Sequence, residues 1–278
     1  MEVRAGAATH SGMRERNEDA YAATSPVFAV ADGMGGHAGG AEAAAIVAEE
    51  LARLAGRAWL EAPDVLDAVE RASERVAGLA AGAATAPGST LSGVALAEQG
   101  GMPCWLVFNI GDSRTYRLQH GRLEQVTVDH TRVQEMVDAG RLTMDQARTH
   151  AERNVITRAI GAGTTGPARL DWSLLVAGPS DRLLVCSDGL TGELSEQLIA
   201  AHLLDVADPQ QAADALVAEA VVAGGRDNVT AVVVDVVELL GGAGVAGADG
   251  TNPDLRATGL EGGDTVPDAL LPGQDDWS

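Results

Sequence analysis

The chain has 278 residues, 46% of them hydrophobic, which is enough apolar material for one large core of about 200 residues or somewhat more, plus a tail. Its formal net charge is -21 and all 19 basic residues are arginine, so no basic run is present to neutralise a nucleic-acid backbone, and nucleic acid is not expected as a partner. The absence of lysine also excludes a Walker lysine and a Schiff-base lysine.

The opening MEVRAGAATH lacks a hydrophobic signal core, and no stretch approaches the roughly 20 uninterrupted apolar residues of a membrane span. A cytoplasmic protein without membrane insertion is therefore expected, and a monomer is the default assumption. VFAVADGMGG reads as a strand running into Asp32. Residues 40 to 54 then carry Val47, Leu51 and Leu54 at helical spacing, and Asp64 to Ala80 repeats Val65, Val69, Ala72, Val76 and Leu79 in the same way. Both predict helices covering a sheet. SGVALAE, CWLVFNIG, RTYRLQ and RLEQVTV follow as extended runs, with His120-Gly121 as a two-residue hairpin turn, so the strands are expected to pair antiparallel. A polar, helical stretch is expected from about Thr131 to Arg158. Strands recur at 170 to 177, 181 to 187 and 229 to 237, with a helix opened by Asp208-Pro209 between the last two. Aromatic residues are scarce, so aliphatic side chains are expected to fill the core. From Glu238 onward, eight carboxylates face the single Arg256 in a Gly-, Asp- and Pro-rich run without periodicity, which reads as a disordered acidic tail over 239–278 behind a folded domain over 1–238.

Four aspartates carry the chemistry. Asp32, Asp112, Asp188 and Asp227 are each read as ending an apolar strand beside a glycine or asparagine. Carboxylates held close together at strand ends repel one another unless a hard cation lies between them, which suggests a multi-metal site. No His-pair or Cys-pair spacing accompanies them, which argues against zinc and toward Mg²⁺ or Mn²⁺. Cys104 and Cys186 lie inside apolar runs and read as buried reduced thiols, and neither begins a Cys-x5-Arg phosphatase loop. Gly33 to Ala38 formally satisfies the dinucleotide pattern GxGxxA, but Asp32 would repel a pyrophosphate and hairpins follow in place of βαβ units. No Asp-x-Asp nucleophile motif of a HAD-type phosphatase appears.

RERNEDAY, VADGMGGHAGG, GSTLSG, NIGDSRTYRL, VDHT, RNVITRAIG, LLVCSDGL and GGRDNVTAVVV occur in the order seen in the metal-dependent PPM, or PP2C-like, serine/threonine protein phosphatases in their bacterial form. This resemblance covers about residues 3 to 237. It implies an α/β (α+β) fold, an α-β-β-α sandwich of two antiparallel sheets flanked by helices. It implies hydrolysis of phosphoserine and phosphothreonine by a hydroxide bridging two Mn²⁺ or Mg²⁺ ions, with phosphorylated proteins and a Ser/Thr protein kinase among the partners. By the same resemblance Asp32, the Gly33 carbonyl, Asp188 and Asp227 hold the catalytic pair, and Asp112 shares a third, weaker ion with Asp188. Arg14 grips the substrate phosphate, His37 is the general acid, Glu18 contacts metal-bound water and Asp19 braces the site. His130 and the run Arg132 to Arg158 match the flap beside the active site.

Other readings stand beside that one. The chain could be a catalytically silent phosphoprotein-binding module on the same fold, whose mark would be degenerate metal ligands, or a regulatory enzyme serving one dedicated partner. Thr251-Asn-Pro-Asp254 and Thr265-Val-Pro-Asp268 share a spacing compatible with phosphothreonine recognition, against the plainer reading of a solvating linker.

Overall fold

A computed structural model of the protein describes residues 1–35, 38–80, 85–164 and 168–239, together with the backbone of 256–257. Strands β1 (Glu2–His10), β2 (Asp19–Thr24) and β3 (Val27–Met34) lead into helices α1 (Ala38–Ala52) and α2 (Ala62–Leu79). The middle of the chain forms β4 (Gly88–Ser89), β5 (Leu91–Gln99), β6 (Met102–Ile110), β7 (Arg114–Gln119) and β8 (Arg122–Gln125). Two short helices, α3 (Arg132–Asp138) and α4 (Met144–Arg148), precede β9 (Ile160–Gly161), β10 (Asp171–Val176) and β11 (Arg182–Cys186). Helices α5 (Asp188–Thr191), α6 (Glu196–Asp205) and α7 (Pro209–Ala223) then lead to β12 (Val229–Glu238). Arg256–Ala257 form a two-residue strand, β13, on β10.

One sheet runs β1-β12-β11-β7-β8 and the other β13-β10-β6-β5-β3-β4-β9, with β2 beside β3. The pairs are antiparallel, as the closely spaced strands predict. The hairpin at His120-Gly121 forms with Gln119 opposite Arg122.

The strand period of two decides which layer each side chain fills. On β3, Val27, Ala29 and Ala31 pack toward α1 and α2, while Phe28 and Val30 join the layer between the sheets. On β12, Val229, Ala231 and Val233 pack toward α6 and α7, while Val232, Val234 and Val236 face the first sheet's partner. Three apolar layers result, and they require strands that are buried on both faces and helices on both outer surfaces. The expected α-β-β-α sandwich is what the strand patterns build. The few aromatic residues are not marginal to it, because Trp105, Tyr116, Phe28 and Phe108 are among its largest fully buried side chains.

Other departures from the sequence reading have local causes. The stretch after Thr131 is two helices and a series of turns, because Thr131 and Thr143 each accept a backbone N–H, from Gln134 and Gln146, and so open separate helices. Asp227 does not end a strand; it precedes β12. Helix α6 has no clear apolar stripe in sequence and is set by the N-cap Ser195 and by packing of Ile199 and Leu203. Cys104 and Cys186 are buried and unpaired, as expected. No described helix is long and apolar enough to cross a membrane. The tail from residue 240, including both Thr-x-x-Asp motifs, lies outside the described residues apart from β13.

Candidate active site and metal centre

The two sheets bring four segments to one end of the sandwich. Asp19 on β2 sits directly opposite Asp32 on β3. Asp112 follows β6, and Asp188 opens α5 immediately after β11. Asp227 lies in the turn before β12, which is the neighbour of β11. The result is an open cleft of 760 Å³ lined by Asp32, Asp112, Asp188 and Asp227, with Arg14, Arg16 and Glu18 on its walls. All four aspartates singled out in the sequence therefore face one cavity.

Close packing holds these groups together. A Cβ on Gly189 would lie 1.9 Å from the Asn228 carbonyl oxygen, and one on Gly33 would lie 2.2 Å from the Gly40 carbonyl oxygen and 2.6 Å from that of Glu18. Gly189 thus lets Asp188 approach the Asp227-Asn228 turn, and Gly33 lets β3 meet the first turn of α1. Gly189→Ala is expected to cost about 1–3 kcal/mol of stability, since the backbone on both sides must shift; a thermal melt within 1 °C of wild type would contradict this packing.

Hydrogen bonds set the second level of order. The Asp32 backbone is fixed by Thr90, whose Oγ1 accepts the Asp32 N–H at 3.0 Å and whose own N–H donates to the Asp32 carbonyl at 2.9 Å. Asp19 lies behind the cleft, and its Oδ2 accepts Ser187 Oγ at 2.8 Å and Thr230 Oγ1 at 2.6 Å. It therefore ties β2 to the ends of β11 and β12. Asn228 gathers the loop before β2: its Oδ1 accepts the Glu18 N–H, and its Nδ2 donates to the carbonyls of Ser11 and Arg16. Arg14, on that loop, donates from Nη2 to Asp227 Oδ2 at 2.7 Å and from Nε to the Arg226 carbonyl. Sequence reasoning did not single out Thr90, Ser187, Asn228 or Thr230; their only signal was membership of the words GSTLSG, LLVCSDGL and GGRDNVTAVVV.

The electrostatics test whether a cation belongs here. Burial raises the Asp32 carboxyl well above the ordinary range, and Asp19, Asp188, Asp112 and Asp227 add to the rise by repulsion. Burial, then Asp188 and Asp129, push Asp112 up to about 8. Burial pushes Asp19 up to about 7, although Thr230 and Ser187 oppose it. Asp188 is raised by burial and by Asp227. Among the described residues two carboxylate oxygens, Oδ1 of Asp19 and Oδ1 of Asp112, are buried without a hydrogen-bond partner. Clustered, desolvated carboxylates with unused lone pairs are the environment a divalent cation relieves, so the residues present fit one. The donors are oxygens, which suit Mg²⁺ and Mn²⁺. Among the described residues no group of three or more His, Cys, Asp and Glu side chains is placed to hold one ion; backbone carbonyls and water would complete the shell of a cation held here.

His37 and Gly36 lie outside the described residues. Residues 131–158, the segment expected to be a flap, have their ends joined by the bridge between Thr131 and Ile156 and by Arg132 N–H donating to the Val155 carbonyl. A second cavity of 350 Å³ runs under this flap, shares Asp112 and Asp188 with the first, and includes Arg148 and Arg153.

The sequence matches the Protein phosphatase 2C family over residues 7–221. It is 38% identical over 235 residues to the serine/threonine protein phosphatase PstP of Mycobacterium tuberculosis, covering 81% of this chain and 43% of that protein. It is 32% identical over 223 residues to the serine/threonine phosphatase stp of Listeria monocytogenes, covering 76% of this chain and 84% of the relative. Its structure is similar to that of the PstP catalytic domain in complex with two manganese ions, with a TM-score of 0.75, 34% identity, and coverage of 85% of this chain and 99% of that one. The chain spans less than half the length of the mycobacterial relative.

Proposed function

Because the chain belongs to the protein phosphatase 2C family, we propose that it is a metal-dependent phosphatase that hydrolyses phosphoserine and phosphothreonine in proteins. The observation that carries this reading is the convergence of Asp32, Asp112, Asp188 and Asp227 on one open cleft with Arg14 at its edge. None of the four is replaced by a residue unable to hold a cation, which counts against a silent binding module.

In this reading Asp32, the Gly33 carbonyl, Asp188 and Asp227 hold two divalent cations, and Asp112 with Asp188 holds a third. When bound, the cations activate water for attack on phosphorus and offset the charge of the phosphate oxygens. Asp19 holds the strand ends that carry Asp32 and Asp188 in register. Glu18 supplies a further acceptor on the cleft wall for water. Arg14 is more than half exposed, and among the described residues its Nη1 has no partner, so its guanidinium can take two phosphate oxygens and orient the ester. His37 protonates the serine or threonine oxygen as its bond to phosphorus breaks, which such a poor leaving group needs. The cavity under the flap receives the polypeptide beside the phosphorylated residue. A Ser/Thr protein kinase and its substrates are the expected partners, in the cytoplasm, with the protein acting as a monomer. The net charge of -21 argues against nucleic acid.

Phosphate release from a phosphothreonine peptide is expected in Mn²⁺ and not in EDTA; a folded protein that releases none in either would overturn the proposal. Arg14→Ala is expected to lower kcat/KM by about 10²-fold through the lost bidentate contact. Arg14→Lys restores only part of this, because an ammonium offers charge without the planar fork. Equal kcat/KM for wild type and Arg14→Ala would remove Arg14 from phosphate binding.

A further inference from the structure

His130 sits where the flap meets the core, and only 6% of it is exposed. Its ring Nδ1 accepts the Gly111 N–H at 3.0 Å, and its Nε2 lies 3.0 Å from Asp171 Oδ2. An accepting Nδ1 carries no proton, so these partners assign the proton to Nε2, which donates it to Asp171. One tautomer satisfies Gly111 and Asp171 together; Arg158 Nη1, 3.3 Å from Nε2, gives its shorter bond, 2.7 Å, to Asp171 Oδ1. His130 also holds the next peptide, the one that links Gly111 to Asp112, since its backbone N–H donates to the Gly111 carbonyl at 2.9 Å. The Asn109 side chain donates to that carbonyl as well, at 3.1 Å.

Both sides of this clamp lead somewhere. Gly111 is bonded directly to Asp112, whose Oδ1 is buried without a partner and which lines the cleft. Asp171 accepts Arg158 Nη1 at 2.7 Å, and the Thr157 N–H donates to the His130 carbonyl at 2.8 Å, so the far end of the flap is anchored to the same residue. The bond from His130, against some burial, together with Arg158, holds the Asp171 carboxyl below the ordinary range, so Asp171 remains an acceptor for both.

We propose that His130 is a positioning residue: through Gly111 it holds Asp112 at its divalent-cation site, and through Asp171 and Arg158 it ties that carboxylate to the flap. The role rests on the metal-dependent reading above. A residue that orients a ligand from outside the coordination shell commonly changes metal affinity by about 10- to 100-fold when lost.

Two amide substitutions separate the two ends of the ring. In His130→Asn the side-chain oxygen falls near the place of Nδ1 and can still accept the Gly111 N–H, while the contact with Asp171 is lost. In His130→Gln the amide reaches the place of Nε2 and keeps Asp171, while the Gly111 N–H is left without its acceptor. Calorimetric Mn²⁺ titration of the full chain reads the result, with Asp112→Asn as the reference. Asp112→Asn is expected to weaken or remove the weakest Mn²⁺ binding step. His130→Gln is expected to weaken that same step about 10-fold, and His130→Asn to leave it close to wild type. An unchanged step in His130→Gln, or an equal loss in both histidine variants, overturns the role and leaves the cation reading intact. An unchanged isotherm for Asp112→Asn instead removes the cation from Asp112, and the role of His130 with it. Should neither histidine variant fold, nitrogen NMR of the wild-type chain decides: the His130 ring and Gly111 amide signals must move during the weakest phase of a Mg²⁺ titration. Stationary signals overturn the proposal.

Discussion

Asp188→Asn is expected to lower phosphopeptide hydrolysis in Mn²⁺ about 10³-fold while raising the melting temperature in EDTA. The two effects share one cause. Asp188 lines both cavities and is raised by burial and by Asp227, so in the absence of cations its charge adds to the repulsion around Asp32. An amide of the same shape removes that repulsion. About 1 kcal/mol of relief corresponds to roughly 2–4 °C for a body of this size. The same repulsion is what draws cations into the cleft, so the variant should also lose most of the rise in melting temperature that Mn²⁺ gives the wild type. Phosphate release and thermal melts in EDTA and in Mn²⁺ check all three effects. A variant less stable than wild type in EDTA would show that Asp188 is held by favourable contacts, and that the site stores no like-charge repulsion. Trading stability for a crowded set of buried carboxylates is a familiar condition of catalytic sites.

Arg182→Ala is expected to be the most destabilising single change outside the cleft, at about 3–5 kcal/mol, or roughly 10 °C in melting temperature. Arg182 on β11 meets Asp235 on β12 through Nε and Nη2 at 2.6 and 2.7 Å. Its other hydrogen bonds go to the carbonyls of Leu203, Val206 and Ala207, which close the C-terminal end of α6. Truncation leaves a largely buried carboxylate and three carbonyls without their donor. Replacing the pair together, as Arg182→Met with Asp235→Leu, should recover part of the loss, because the unpaired charge is then gone. The carbonyls at the end of α6 would remain unsatisfied, so recovery should be incomplete. Urea unfolding of the two variants beside wild type measures this; a loss below about 1 kcal/mol for Arg182→Ala would mean that water takes over the bonds.

Much of the fold could be read locally. The spacing of Val65, Val69, Ala72 and Val76 predicts the buried face of α2, and those four residues are buried there. Asp208-Pro209 predicts the start of α7, and the Asp208 side chain accepts the Gln211 N–H as an N-cap. His120-Gly121 turns the hairpin because both residues take positive φ. The four aspartates were legible because each stands beside a residue that permits a sharp turn or close approach. Their supports were not. Thr90, Ser187, Asn228 and Thr230 are small polar residues of common type, and each acts on a group distant in sequence.

The sequence by itself determined the elements with clear periodicity or turn residues, their antiparallel character and the oxygen-rich chemistry of the cleft, because these follow from spacing and side-chain type over short spans. The layered sandwich was implied by the family resemblance. Tertiary structure alone decided which groups meet. It paired Asp19 with Asp32 across a hairpin and set the Asp227 turn beside Asp188. It also buried Glu50 of α1 beneath Arg71 and Arg75 of α2, where a helix surface would have left it in water. It joined His130 to both Asp171 and Gly111, the residue before Asp112. Each of these contacts depends on strand order and on the approach of backbones far apart in the chain, and no local pattern encodes that geometry.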